Sequence, residues 1–221
     1  MSTAAASAGS SAAAAPTAAT PAQLIPAISD TSGPEPRSFS YEWLQGEEGD
    51  RLKQMTALAK TQLRAYLDAR AKAKIGVPTT GAKARPKAAA KGPDPVLDDV
   101  KMTPYDLSAN GQPILVFSAE AHVPPPSGFT EAVADPDMKY SIMLVAHPDL
   151  YNNLTKLYVG ITDKYHLDLT PRLDLIDVVD ADGDGRGELL FRETSDVGSG
   201  YSIYRVGADK LWKLFDSLNA E

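Results

Sequence analysis

The chain contains no cysteine, which excludes disulfides and thiolate metal sites and leaves oxygen and imidazole as the available ligands. It also lacks a long apolar run. The longest compact one, Ile142-Met143-Leu144-Val145-Ala146, falls far short of the ~20 residues a helical membrane span needs. No Lys or Arg precedes Arg37, and no apolar stretch there has signal-peptide length, so neither a standard signal peptide nor an anchor is expected. Nucleophile elbows, phosphate loops and dinucleotide fingerprints are missing. Only three histidines occur, His122, His147 and His166, and only two tryptophans, Trp43 and Trp212. The expectation is therefore a non-enzymatic protein.

The charge that is present is unevenly placed. Residues 1–93 carry 12 Lys/Arg against 7 Asp/Glu, whereas residues 94–221 carry 10 against 22. The acidic C-terminal part repels nucleic acid and attracts cations. Within it, Asp180-Ala181-Asp182-Gly183-Asp184-Gly185-Arg186-Gly187-Glu188 places an oxygen-bearing side chain at every second residue, with a glycine where the chain must bend. Positions 1, 3 and 5 of an acidic calcium loop supply side-chain oxygens and position 7 supplies a backbone carbonyl, while a glycine sits at position 6. Here these are Asp180, Asp182, Asp184, the carbonyl of Arg186, and Gly185, and Glu188 at position 9 can close the shell. An EF-hand would need a bidentate Glu at position 12 between two helices, but that position is Phe191 in a strand-like run. The competing reading is an acidic Asp-Gly hairpin that binds nothing.

On these residues the segment resembles the calcium loops of FG-GAP and VCBS-type repeats, the blades of integrin-like β-propellers, where the loop joins two antiparallel strands. The resemblance implies Asp180, Asp182, Asp184 and Glu188 as side-chain ligands of one Ca2+. It also implies an extracytoplasmic setting, against which stands the missing signal peptide.

Around this loop the chain is duplicated. Tyr105–Phe117 aligns without gaps on Val179–Phe191, Tyr140-Ser141-Ile142 matches Tyr201-Ser202-Ile203, and Lys156-Leu157-Tyr158 matches Lys213-Leu214-Phe215. Each unit is expected to hold four strands: Asp99–Tyr105, Ile114–Ala121, Lys139–Ala146 and Thr155–Thr162, then Leu173–Val179, Glu188–Glu193, Tyr201–Val206 and Leu211–Phe215. Four antiparallel strands make a propeller blade, and two blades cannot close a ring. A compact eight-stranded assembly partly covered by a helix is expected. In the first copy of the loop, Asp106, Ser108 and Asn110 stand at positions 1, 3 and 5, Gly111 at the bend, and Ile114 at position 9. One acid in place of four predicts a structural turn, with Asp106 and Asn110 bonding to backbone.

The fold class read from this pattern is mainly β: two four-stranded antiparallel, propeller-blade-like repeats, preceded by one amphipathic helix and a disordered arm. Residues 1–40 form an Ala/Ser/Pro-rich arm without enough apolar surface to offset chain entropy. Residues 41–73 carry the helix, from roughly Glu47 to Lys72, with Leu52, Met55, Ala59, Leu63, Tyr66 and Leu67 on one face. Its basic residues also allow it to lie on an anionic membrane. Residues 74–94 form a basic Ala/Lys/Pro linker, and residues 95–221 the duplicated β domain (repeat 1 at 95–166, repeat 2 at 167–221).

The functional expectation is a calcium-stabilised β-repeat module for binding or scaffolding, with a protein or carbohydrate ligand and no specific nucleic acid. Two alternatives are a polyanion binder using seven basic residues between Arg70 and Lys91, where no acid occurs, and a hydrolase with a site among Asp106, His147 and His166. His147-Pro148-Asp149 matches the tripeptide of J-domain co-chaperones, but it follows a strand instead of joining helices and reads as a turn.

Overall fold

The computed structural model describes residues 38–75, 93–124 and 138–218. Most of the expected arm and residues 76–92 of the expected linker lie outside them. The last residues assigned to the arm, 38–40, belong instead to the fold: Phe39 is buried and Ser40 bridges Tyr105.

Gly46, at a φ of 81°, turns the chain into α1 (Glu47–Ile75), whose first turn carries Glu47, Glu48 and Asp50 beside the positive end of the helix dipole. Its inner face is spaced by four: Arg51, Met55, Ala59 and Leu63 are all buried, with Leu58, Tyr66 and Leu67 partly so. Leu52, expected on this face, points outward, and Arg51 takes its place. The Arg51 guanidinium donates to the Asn152 side chain and carbonyl and to Glu47, so its charge is paired while its stem lies against the helix face.

The rest of the described chain is β: β1 (Val96–Tyr105), β2 (Ile114–His122), β3 (Tyr140–Pro148), β4 (Leu154–Asp163), β5 (Arg172–Val179), β6 (Glu188–Thr194), β7 (Ser199–Val206) and β8 (Leu211–Asp216). They form two antiparallel four-stranded sheets, β1-β2-β3-β4 and β5-β6-β7-β8, neither closed into a barrel. The molecule is mainly β, as expected, and each sheet is one repeat.

The two sheets and the helix make three layers. Leu115, Phe117, Ile142, Leu144 and Ile161 turn one face of the first sheet to α1; Val116, Met143, Val145 and Leu157 turn the other to Leu173, Leu189, Phe191 and Tyr204 of the second. Covering on both faces explains why β2 and β3 read as nearly unbroken apolar runs. The apolar face of α1 is spent on this sheet and is not free to lie on a membrane. No helix among the described residues is long and apolar enough to cross one.

Strand register tests the duplication. Phe117 stands opposite Leu144, and Phe191 opposite Ser202. Ser202 is therefore the counterpart of Leu144, and the matched tripeptides Tyr140-Ser141-Ile142 and Tyr201-Ser202-Ile203 are three residues out of register. The other match holds: Val145 and Ala146 pair with Tyr158 and Lys156 across a bulge, as Ile203 and Tyr204 pair with Phe215 and Lys213. Even the fourth-strand bulge is repeated, at Leu157 and Leu214.

Candidate metal site

The acidic loop joins β5 to β6, and its backbone is shaped by its own side chains. Asp180 accepts from the N–H groups of Gly183 (2.8 Å) and Gly185 (2.9 Å), and Asp184 accepts from that of Arg186 (2.9 Å). These short-range bonds are Asx-type turns, which an aspartate makes by mimicking a backbone carbonyl. Gly183 and Gly185 both sit at positive φ, 76° and 82°. At the loop's end, Gly187 donates to Leu107 O at 2.8 Å, tying the second repeat to the first. A Cβ at Gly187 would meet Val178 at 2.5 Å and Phe39 at 3.0 Å, so only glycine permits this approach.

Of the expected ligands, the fold brings Asp180, Asp182 and Glu188 together, each offering a carboxylate oxygen within 4.8 Å of the others. Asp184 stands outside this trio, and the Arg186 side chain is exposed beside a cleft of about 270 Å3 between the two repeats' loops, lined also by Ser108, Gln112 and His147. Glu188 is the residue the loop encloses: it is fully buried, and its Oε2 accepts the Ala181 N–H at 2.9 Å.

Sequence reasoning missed the residue that faces this cluster. Arg205, on β7, donates through Nε and Nη2 to Glu188 Oε1 at 3.0 and 2.8 Å, donates to Asp182, and lies 3.6 Å from Asp184. The hydrogen bond from Arg205, foremost, holds the Asp182 carboxyl below the usual carboxylate range, and the bonds to Asp182 and Glu188 push the guanidinium further up. A lone arginine 17 residues beyond Glu188 carries no local signal; the strand register that opposes the two residues is the signal that finds it.

The first loop, between β1 and β2, behaves as expected. Asp106 accepts from the N–H groups of Asn110 (3.0 Å) and Gly111 (2.9 Å), and Asn110 accepts from that of Gln112 (2.9 Å). His147 and Asp106 lie at the same end of the first sheet as this loop. His166 lies at the opposite end, in the turn after β4, whose Asp163 pairs with Tyr140 at the far end of β3. The seven residue steps along β3 from Tyr140 to His147 span about 23 Å, far beyond hydrogen-bond reach. The three residues of the hydrolase alternative are thus not gathered into one site. His147-Pro148-Asp149 is a turn, as read: Asp149 Oδ1 accepts from the Tyr151 and Asn153 N–H groups, both at 2.8 Å. For the polyanion alternative, residues 76–92 lie outside those described, and Arg70 is bound to Asp163 and His166.

A search of family models, of curated proteins and of solved structures finds no match to this chain.

Proposed function

We propose that the chain is a non-enzymatic β-repeat module of the FG-GAP/VCBS kind, stabilised by one calcium ion and used to bind or scaffold a protein or carbohydrate partner. The observation that carries this reading is the convergence of Asp180, Asp182 and Glu188 in one loop at the seam between the repeats. The donors suit a hard cation: all three that converge are carboxylate oxygens, and the turn bonds that shape the loop leave carboxylate lone pairs for an ion. Asp180, Asp182 and Glu188 would hold the ion, with Asp184 and the Arg186 carbonyl completing the shell. The ion would neutralise a set of acids that otherwise repel one another. Because the loop is hydrogen-bonded to Leu107, ordering it also braces the contact between the sheets.

Arg205 supports a second reading, in which the loop is closed by an internal cation and calcium adds nothing. One experiment separates the two: thermal melts of the full chain with EDTA and with millimolar calcium, alongside Asp182→Ala/Asp184→Ala. Calcium at one hundred times its dissociation constant raises stability by about 2.7 kcal/mol, and this rise should vanish in the double variant. Superimposable melts with and without calcium would leave Arg205 as the loop's only counter-charge.

A further inference from the structure

Away from the acidic loop, α1 is fastened to the turn after β4 by a cluster with a defined proton arrangement. Asp163, at the end of β4, is buried; its Oδ2 accepts from Arg70 Nη1 at 2.5 Å, and its Oδ1 lies 2.6 Å from His166 Nδ1. His166 Nε2 lies 3.0 Å from Arg70 Nη2, and Tyr66 Oη accepts from Arg70 at 3.3 Å. An arginine has donors and no acceptor. His166 Nε2 must therefore be the acceptor toward Arg70, while Nδ1–H donates to Asp163. Only the neutral imidazole, protonated at Nδ1, satisfies both contacts.

We propose that His166 is a proton-controlled latch on the C-terminal half of α1. A proton added at Nε2 turns the acceptor into a second donor aimed at the Arg70 guanidinium. The cluster then holds two cations and one anion, and the 3.0 Å contact between Nε2 and Arg70 Nη2 turns from a hydrogen bond into a repulsion between like charges. Protonated His166, three residues from Asp163 in the same turn, keeps the carboxylate; Arg70, 93 residues away on the helix, is released. Tyr66, which meets Tyr140 edge to face at 6.2 Å, leaves with it.

The groups around the imidazole set the balance. The ring meets Arg70 of α1 and Asp163 of β4; Tyr66 of α1 and Tyr140 of β3 act on that pair, and Lys164, Tyr165 and Asp168 are its charged or titratable neighbours along the turn. Burial alone pushes the Asp163 carboxyl up, but hydrogen bonds from His166, the Tyr165 N–H and Arg70 outweigh it and hold the group below the ordinary range. Asp163 therefore stays ionised while histidines titrate. The N-terminal half of α1 is held separately, by Arg51 on Asn152 and by Met55, Ala59 and Leu63 in the core, so only the far half is released.

The test is amide hydrogen exchange of the full chain at about pH 7.5 and about pH 5, which bracket histidine titration. Rates are corrected for intrinsic exchange, and NMR of the His166 ring reports its protonation. Residues 66–72 should lose protection about tenfold at the lower pH relative to residues 51–59, as expected for one charge-assisted contact. His166→Gln, which keeps a neutral acceptor, should abolish the pH step. Arg70→Met should show the unprotected level at both pH values. Equal protection of wild-type residues 66–72 at both pH values overturns the proposal, as does a pH step that survives in either variant.

Discussion

The two interstrand loops are the same backbone with different charges. Gly111 and Gly185 occupy the same position at φ of 73° and 82°, and Ala109 and Gly183 share another at 50° and 76°. Asp106 bonds the N–H of Gly111 as Asp180 bonds that of Gly185, and Asn110 bonds the N–H of Gln112 as Asp184 bonds that of Arg186. Positions 1 and 5 thus shape the turn in both copies, whether or not an ion is involved. The loops part at positions 3 and 9, where Ser108 and Ile114 stand against Asp182 and Glu188. The strand opposite follows suit. One residue beyond Leu115↔Ala146, Ile114 faces His147; one residue beyond Leu189↔Tyr204, Glu188 faces Arg205. The extra acids and the permanent cation occur together in one repeat and are missing together from the other. The comparison separates residues that make the turn from those that make the charge.

That separation is open to attack by substitution. Glu188→Ala should have the largest effect, costing about 2–3 kcal/mol in a denaturant melt, because it strips a buried acceptor from Arg205 and from the Ala181 N–H. Glu188→Ile, copying Ile114, should recover part of this by filling the space; recovery of none would mean that the two positions are not equivalent. Gly111→Ala should cost about 1–2 kcal/mol, since a Cβ there meets no atom within 4 Å and the strain is in the backbone alone, and Gly185→Ala, at a similar φ, should cost a matching amount. A much larger cost in the second loop would show that the charges also dictate its backbone. The smallest effect concerns acid. Asp182 sits below its ordinary range in the folded state, so its contribution is full above about pH 4 and is lost as the pH falls through the depressed value. Melting temperatures followed downward from about pH 5 should show this loss in the wild type and a weaker one in Arg205→Gln. Identical pH profiles would mean that Arg205 does not govern Asp182.

Much of the architecture was legible because its causes are local. The expected strands agree with β1 to β8 to within three residues at each end, since apolar runs bounded by Gly, Asn, Asp and Pro mark strands and turns from neighbouring residues alone. The same holds for the turn roles of Asp106 and Asn110. What escaped depends on partners far along the chain. Arg51 lies on the same every-fourth-residue row as Met55, Ala59 and Leu63, but an arginine there reads as a surface residue until its partner Asn152, in the β3–β4 turn, is known. Arg205 and the Arg70–Asp163–His166 cluster are likewise products of register and layer packing. The Tyr-Ser-Ile match misled for a related reason: identical residues three positions apart in a strand pair with different neighbours, and register, not identity, defines equivalence.

The order of strands in the two sheets has a kinetic consequence. Every pairing, from β1 with β2 to β7 with β8, joins strands that follow one another along the chain. Each sheet can therefore grow strand by strand from sequence neighbours, without waiting for a distant segment to arrive. The contacts that must bridge long separations are those between layers, such as Arg70 with Asp163 and Phe39 with the second sheet. Folding of this chain should thus be fast within each meander and limited by stacking, with the docking of α1 and of the two sheets as the step that sets the observed rate.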